Sequence, residues 1–326
     1  MIYLIKPENN SSVRLLKQKH LEYIQNPQGF PTTKIDWVNL METQEDKSFP
    51  EPLHFVFEPA LDGDIVLIRE NGEQAVYPAS QGQAYISNLF IDENYTWFAR
   101  VGNEISDTYG FHTDAQAPRM LYVDGISNVR DFGGFATVDG KKVKQGLIYR
   151  TSEMDTHVNI TEKGKRTLED ELGIKLDVDI RGIKNEPRGP ILNQEKVKWV
   201  NFPLAAYVDC ITDEQMKLYG ESYELLTEQE SYPLIIHCWG GIDRTGTWLY
   251  ILGGMLGVGE DDLGLDYEMS SFSRWGRRCR TSEQFLEFLR GLYKYGDTLQ
   301  AACVGFMKAC GLSDGQLEEI KKLLLE

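Results

Sequence analysis

Residues 234–246 have the sequence LIIHCWGGIDRTG, and this stretch decides the fold of the C-terminal part of the chain. The apolar residues at its start predict a short buried strand over 233–237. Residues 245–256 predict a helix that begins soon after the strand ends. Cys238 therefore stands at the carboxyl end of a strand, and only a short loop separates it from a helix N-terminus.

The loop between this strand and this helix has the composition of an anion-binding site. Backbone N–H groups at a helix N-terminus point into one concavity, and the helix dipole adds partial positive charge there. Gly240 and Gly241 allow the backbone angles that such a loop needs, and Arg244 offers a planar fork to two phosphate oxygens. In this position Cys238 is expected to be a thiolate near neutral pH, and hence a nucleophile aimed at phosphorus.

Strands and helices alternate in the sequence around this loop. Residues 176–180 and 197–202 predict strands, whereas residues 161–172 and 212–229 predict helices. Such alternation implies crossover connections, and therefore an α/β domain with a mainly parallel sheet flanked by helices. The tail of the chain, residues 260–326, is predicted to be nearly all helical.

The first third of the chain has a different pattern. Short segments rich in β-branched and aromatic residues alternate with turn signals, which predicts a small β-sandwich; they are residues 53–57, 65–69, 84–89 and 95–101. Tyr95 follows Leu89 by six residues, a spacing that resembles the tyrosine corner of immunoglobulin-like and fibronectin type III modules. Residues 13–23 fit either a helix or a strand.

A linker-like stretch over residues 113–119 places the domain boundary between 116 and 117. The predicted division is a β-sandwich over 1–116 and a catalytic domain over 117–326. The N-terminal domain contains no cysteine, and we expect it to bind a partner protein rather than to take part in catalysis. A chain that begins near Ala117 is then expected to fold and to hydrolyse small aryl phosphates.

Composition excludes several classes of protein. The 326 residues carry a formal net charge of −16, which argues against a generic nucleic-acid or anionic-membrane binder. Apolar runs are too short for a transmembrane helix, and Lys6 interrupts the N-terminus too early for a signal peptide. We therefore expect a cytoplasmic protein, with a secreted one whose leader has been removed as the alternative. Five cysteines without a CxxC pair predict no disulfide framework, no metal site and no cofactor.

The loop that begins at Cys238 resembles the His-Cys-x5-Arg-Ser/Thr signature of the cysteine-based protein tyrosine phosphatase superfamily. Its Asp-Arg-Thr-Gly ending is similar to the bacterial and fungal tyrosine phosphatase branch. Three other segments resemble that branch: residues 128–134 (NVRDFGG), 146–152 (GLIYRTS) and 179–181 (DIR). The resemblance covers roughly residues 121–326 and implies metal-independent hydrolysis of phosphomonoesters through a phosphocysteine.

The resemblance implies a role for each residue of the loop. Cys238 is the expected nucleophile, and Arg244 is expected to bind the phosphate and stabilise charge in the transition state. Thr245 is expected to hydrogen-bond the thiolate, and His237 to hydrogen-bond the loop and lower the pKa of the thiol. The remaining phosphate cradle is expected from the backbone of Trp239, Gly240, Gly241, Ile242, Asp243 and Arg244.

Two aspartates compete for the role of general acid. Asp243 lies inside the loop, where the resemblance places the acid of this branch. Asp209 follows the strand predicted over 197–202, where dual-specificity phosphatases carry an acid on a mobile loop. Arg130 and Asp131 are expected to brace the catalytic loop through hydrogen bonds rather than to touch substrate.

The loop also bears on substrate choice. Ile242 occupies the position where phosphoinositide phosphatases of this branch carry a lysine, and Trp239 could stack on an aromatic ring. Both features favour phosphotyrosine, with dual specificity open. The alternatives are a phosphoinositide or inositol phosphate phosphatase and, from another class, a phosphate-recognising binding protein with a weak or inactive catalytic domain.

Four arginines form a basic cluster in this acidic chain: Arg274, Arg277, Arg278 and Arg280. The cluster fits a solvated helix end with local acidic partners. It also fits a rim that guides an acidic phosphopeptide or phospholipid to the site.

Overall fold

The computed structural model describes residues 1–25, 46–182, 189–276 and 278–326. It divides into two compact units, Met1–Leu21 with Pro50–Tyr122 and Glu22–Phe49 with Val123–Glu326. The sequence predicts a division between residues 116 and 117, which stays a prediction; of the residues between the two parts of the first unit, the described ones, 22–25 and 46–49, belong to the second unit.

The strands are β1 Tyr3–Lys6, β2 Ser11–Val13, β3 Leu53–Glu58, β4 Gly63–Arg69, β5 Gln74–Ala79, β6 Gln83–Ile86, β7 Asn94–Val101, β8 Glu104–Ile105, β9 Tyr109–Thr113, β10 Arg119–Met120, β11 Arg130–Asp131, β12 Ile148–Thr151, β13 Leu176–Asp179, β14 Lys198–Asn201 and β15 Leu234–His237. The α-helices are α1 Gln18–Ile24, α2 Glu162–Arg166, α3 Asp213–Glu224, α4 Asp243–Leu256, α5 Glu260–Met269, α6 Glu283–Leu292, α7 Leu299–Ala309 and α8 Asp314–Leu324.

The first unit contains two sheets, with strand orders β1-β3-β6 and β2-β9-β7-β4-β5. Both sheets contribute side chains to one apolar core, including Phe55 from β3 and Trp97 from β7. A shared core between two sheets is the arrangement expected of a β-sandwich. The Tyr95 hydroxyl accepts a hydrogen bond from the Phe90 backbone N–H at 2.9 Å, which is the type of contact that a tyrosine corner makes. Membership of the immunoglobulin or fibronectin type III families stays a prediction.

The second unit confirms the predicted parallel pairing. Strand β15 pairs in parallel with β12 on one side and with β13 on the other, and β13 pairs in parallel with β14. Strand β11 pairs antiparallel with β12. Strand β15 is therefore an interior strand, which explains why residues 234–237 are all buried and apolar apart from His237.

The helix after β15 begins at Asp243, two residues earlier than predicted, and ends at Leu256 before Gly257 in a left-handed conformation (φ 94°). The helix predicted over 161–172 is instead the short α2, capped by the Thr161 side chain, followed by a π-helical turn Thr167–Glu171. Residues 13–23, left open between helix and strand, include part of α1. Across the described ranges, no helix is both long and apolar enough to cross a membrane.

Candidate active site

Cys238 lies directly after β15 and five residues before the first turn of α4. Its side chain is almost completely buried, with 3% of the residue exposed. Burial alone would raise the pKa of the thiol, but the positive charge of Arg244 and hydrogen bonds from Thr245 outweigh it, so the pKa lies below its ordinary value. The geometry therefore favours a thiolate at Cys238.

Side chains from outside the Cys238 loop, which comprises residues 238–244, hold its backbone through hydrogen bonds. The Asn128 side-chain amide donates to the carbonyl oxygens of Gly240 at 3.0 Å and Gly241 at 3.1 Å. Arg150 Nη2 also donates to the Gly241 carbonyl, at 2.6 Å. These contacts hold the carbonyl groups of Gly240 and Gly241, and a loop fixed in this way can present backbone N–H groups to an anion.

Gly241 is required where it stands. Its φ of +63° lies in the left-handed region, and a Cβ added there would come within 2.1 Å of the Thr151 carbonyl oxygen. Ile242 follows it with a buried side chain, so this position offers no cation to the site.

A buried network of hydrogen bonds and ion pairs holds Asn128 and Arg150 in place. Asp266 on α5 accepts hydrogen bonds from Arg130 Nε at 3.0 Å and from Arg150 Nη1. Arg130 also donates to the Asn128 side-chain oxygen through Nη1. Burial opposes the ionised form of Asp266, yet the two arginines lower the pKa of its carboxyl below the ordinary range. Arg130 thus reaches the Cys238 loop through Asn128, while Asp266 fixes both arginines.

Asp131 supports a neighbouring turn instead of the loop itself. Its carboxylate accepts hydrogen bonds from the backbone N–H groups of Gly133 at 2.7 Å and Gly146 at 2.6 Å. These contacts hold together the ends of the connection between β11 and β12. These two contacts of Asp131 thus go to this turn, whereas Arg130 reaches the Cys238 loop through Asn128.

His237 is buried beside an acidic partner. Its Nε2 lies 3.1 Å from Asp177 Oδ1, and its Nδ1 lies 3.4 Å from the carbonyl oxygen of Cys238. Burial alone would lower the pKa of the imidazole, but the charge of Asp177 raises it to about 9. The effect of this imidazole on the thiol of Cys238 stays a prediction, since the lowered pKa of the thiol is attributed to Arg244 and Thr245.

Of the two candidate acids, Asp243 is the one that lies within the Cys238 loop. Arg278 donates to it from Nε at 2.6 Å and from Nη2 at 2.8 Å, and the Tyr207 hydroxyl donates to Oδ1. Burial alone would raise the pKa of this carboxyl, but Arg278 and Tyr207 hold it below its ordinary value. Asp209 lies exposed in the 3-10 turn Tyr207–Ile211, and the side chain that this turn directs to the Cys238 loop is that of Tyr207.

Trp239 places an aromatic ring directly after Cys238 in the loop. It is 39% exposed, and the ring of His157 stacks on it with centroids 4.1 Å apart and planes at 24°. His157 is oriented by the buried Glu153, whose Oε1 lies 2.6 Å from Nδ1. The Glu153 backbone N–H donates to the Trp239 carbonyl at 2.8 Å, so one segment supports both the ring and the backbone of Trp239.

The arginines of the basic cluster at residues 274–280 make different contacts from one another. Arg278 pairs with Asp243, and Arg280 pairs with the buried Glu268 at 3.1 Å. Arg274 is exposed, with its guanidinium carbon 5.8 Å from the centre of the Trp275 ring. Arg277 lies outside the described residues.

Several residues of this site had no signal in the sequence. Asp266 and Tyr207 lie in segments that pattern describes only as helix or loop, and the contacts that matter join residues far apart in the chain. His157 could have been singled out only by its proximity to the segment 146–152. No cluster of histidine, cysteine, aspartate and glutamate suited to a metal ion occurs within the described residues.

Comparison with known proteins adds a family to this geometry. A model of the Tyrosine phosphatase family matches residues 121–326. A protein of Cupriavidus necator, provisionally named a tyrosine-protein phosphatase, is 30% identical over 176 residues, which are 47% of this chain and 63% of that protein. The chain thus covers less than two thirds of that relative. The solved core catalytic domain of the PP-IP phosphatase SIW14 from S. cerevisiae, in complex with citrate, is 16% identical with a TM-score of 0.34, and the match covers 52% of this chain and 87% of that one.

Proposed function

Because this chain belongs to the Tyrosine phosphatase family, we propose that it hydrolyses phosphotyrosine through a covalent phosphocysteine. The observation that carries the proposal is the position of Cys238. A buried thiol of lowered pKa stands between the end of a parallel strand and the N-terminus of α4, and Arg244 supplies the nearby positive charge. This arrangement suits attack on a phosphate dianion, because the same field stabilises the thiolate and the bound oxyanion.

In the first step, the Cys238 thiolate attacks phosphorus. The S–P bond forms while the bond between phosphorus and the tyrosyl oxygen breaks. Asp243 in its protonated form gives its proton to the departing oxygen, so tyrosine leaves as a neutral phenol. Arg244 and the N–H groups of the Cys238 loop stabilise the equatorial oxygens of the transferring group.

In the second step, water attacks the phosphocysteine. Asp243, now a carboxylate, takes a proton from that water as the new O–P bond forms. The S–P bond breaks, inorganic phosphate is released, and the Cys238 thiolate is regenerated. Thr245, which helps to lower the pKa of this thiol, favours departure of the thiolate.

The ring of Trp239, beside the Cys238 loop, favours a substrate with an aromatic leaving group. Trp239 presents a partly exposed ring next to the nucleophile, and the stack with His157 fixes its orientation. An aromatic leaving group can pack against such a ring, and an offset stack contributes roughly 0.5–1.5 kcal/mol. The buried Ile242 adds no cation for a substrate with several phosphates.

Initial rates on a substrate panel test the proposal. The panel contains a phosphotyrosyl peptide, a phosphoseryl peptide and a phosphoinositide, all with EDTA present. We expect the phosphotyrosyl peptide to have the highest kcat/KM, and acid quenching during turnover to trap phosphate on Cys238. Cys238→Ser should retain phosphate binding but lose at least about a thousandfold in kcat, as nucleophile variants usually do. A higher kcat/KM for the phosphoinositide would contradict the proposed substrate class, and a fully active Ser variant would contradict the covalent route.

A further inference from the structure

Arg278 and Asp243 form a two-pronged contact at the first turn of α4. The guanidinium donates from Nε to Oδ1 at 2.6 Å and from Nη2 to Oδ2 at 2.8 Å. Side-chain exposure is 29% for Arg278 and 35% for Asp243, so the pair is partly shielded from water. A bidentate guanidinium contact of this kind favours the ionised carboxylate, because all its hydrogen bonds need acceptor oxygens.

Tyr207 provides a third donor to the same carboxylate. Its hydroxyl donates to Asp243 Oδ1 and lies 2.6 Å from the hydroxyl of Tyr267 on α5. The Tyr207 backbone N–H donates to Thr247 Oγ1 at 3.0 Å, and that hydroxyl donates to the Asp243 carbonyl at 2.9 Å. Tyr207 is thereby fastened to the turn of helix that carries Asp243.

The backbone of Tyr207 adopts an unusual conformation to reach this position. Its φ is +55°, in the left-handed region that bulky residues seldom occupy, and the residue is buried. Such a conformation persists only where surrounding contacts hold it, and it is often found at functional sites. Here the contacts are those with Thr247, Asp243 and Tyr267.

These donors oppose the task that the proposed function gives to Asp243. A general acid must carry a proton before it can donate one, but three donors already occupy its oxygens. Protonation of Asp243 would put a hydrogen where one of these donors now points. The free enzyme is therefore built to keep Asp243 ionised.

We propose that Arg278 is a positioning residue that clamps Asp243 as the carboxylate and so sets the pH above which the reaction slows. Tyr207 is the second part of the clamp. The inference rests on the proposed function, since it concerns the proton that Asp243 delivers. Among the described residues, the charged or titratable groups that face Asp243 include Arg278, Tyr207 and Arg244, with Tyr267 behind Tyr207 and the Cys238 thiol as a further neighbour.

The direction of the effect follows from the donors. Arg278 and Tyr207 lower the pKa of Asp243, so the protonated fraction falls as pH rises through a range below the ordinary one. Removing either donor raises that pKa and moves the alkaline limb of kcat/KM to higher pH. An opposite charge at contact distance typically moves a carboxyl pKa by about 1–3 units, so we expect a shift of about one pH unit or more in Arg278→Met.

The experiment measures kcat/KM against pH for phenyl phosphate, whose poor leaving group needs the proton. Wild type is compared with Arg278→Met, with Tyr207→Phe, and with Arg274→Met as the matched control. The control removes Arg274, which belongs to the same segment. Among the described contacts, none joins Arg274 to Asp243. The ionisation of the ester itself contributes equally to every profile, so differences between variants report on the enzyme.

We expect the alkaline limb to move upward in Arg278→Met and, by a smaller amount, in Tyr207→Phe, while Arg274→Met follows wild type. Nitrophenyl phosphate should show little of this shift, because its leaving group needs no proton. Alkylation of Cys238 by iodoacetamide reports on the thiol separately, and its pH dependence should change less in Arg278→Met than the alkaline limb does, because Arg278 contacts Asp243 whereas Arg244 and Thr245 lower the thiol pKa.

Two results would overturn the inference. One is an unmoved alkaline limb in both Arg278→Met and Tyr207→Phe, and the other is an equal shift in Arg274→Met. These results leave turnover of nitrophenyl phosphate intact and so leave the proposed function standing. Absence of wild-type turnover on both esters would instead overturn the proposed function and, with it, this inference.

Discussion

The Ser48 hydroxyl accepts a hydrogen bond from the backbone N–H of Asn128 at 2.9 Å, across 80 residues of sequence. Asn128 in turn holds the carbonyls of Gly240 and Gly241 in the Cys238 loop. Ser48 donates to Asp46 at 2.5 Å and is fully buried. The Cys238 loop is therefore supported, through Asn128, by a residue that precedes most of the first unit in the sequence.

This contact leads us to expect that a chain beginning at Ala117 is impaired. It would lack Ser48 and leave the buried N–H of Asn128 without its acceptor, which costs about 1–3 kcal/mol. We expect turnover of nitrophenyl phosphate at least about tenfold below that of the full chain, in contrast to the expectation from sequence. Steady-state kinetics of the two chains provide the measurement.

Ser48→Ala in the full chain isolates the hydrogen bond from the rest of the deleted segment. It should lower both the thermal stability of the second unit and kcat, whereas Ser80→Ala removes a hydroxyl contact in the first unit and should change neither. A fully active, stable chain from Ala117 would show that residues 22–49 are dispensable.

The strand, loop and helix around Cys238 were predictable because their signals are local. An apolar run precedes the cysteine, and the glycines and Arg244 follow within a few residues. Parallel pairing around β15 followed from the alternation of strands and helices, and the register confirms it. Local composition sufficed for these features because each is determined by neighbours in the chain.

The support of the loop was not predictable, for the opposite reason. Asp266 contacts Arg130 across 136 residues, and Ser48 contacts Asn128 across 80. Pattern and propensity say nothing about which distant polar groups meet in the interior. The loop after β14 shows the same limit, since its left-handed Tyr207 places a tyrosine on Asp243 where sequence suggested Asp209 as a rival acid.

Asp243→Asn should separate substrates by leaving group. Without a proton donor, we expect kcat for phenyl phosphate to fall about a hundredfold or more, and kcat for nitrophenyl phosphate to fall much less. Asp209→Asn is the matched control, because Asp209 is exposed and its effect should be small and equal for both esters. An exchange of the two outcomes would move the general acid to the turn Tyr207–Ile211.

Trp239→Ala should weaken binding of phosphotyrosine without weakening the phosphate site. Loss of an aromatic stack of about 0.5–1.5 kcal/mol predicts a rise in KM of about twofold to tenfold, with little change in kcat. The inhibition constant of inorganic phosphate, which has no ring, should stay at its wild-type value. A parallel rise in that constant would mean that Trp239 acts on the Cys238 loop and not on the substrate.

His157→Ala should also raise the KM for phosphotyrosine, but by less than Trp239→Ala does. The imidazole stacks on Trp239 at 4.1 Å, so its removal frees the indole without deleting it. We expect a KM for phosphotyrosine between those of wild type and Trp239→Ala, from the same steady-state measurements. A KM above that of Trp239→Ala would instead indicate a direct contact between His157 and substrate.

His237 should make the stability of the second unit depend on pH. Asp177 raises the pKa of its imidazole from 6.5 to about 9, so the native state binds this proton more tightly than the unfolded chain does. The resulting stabilisation is complete below pH 6.5 and is lost as pH rises through about 9. Urea unfolding between these values should show a falling free energy, and His237→Gln should remove that part of the slope. Ser80→Ala, which removes a hydroxyl contact in the first unit and no titratable group, is the control and should retain the slope of wild type. An unchanged slope in His237→Gln would show that the imidazole is neutral in the native state and that its charge does not assist the thiolate.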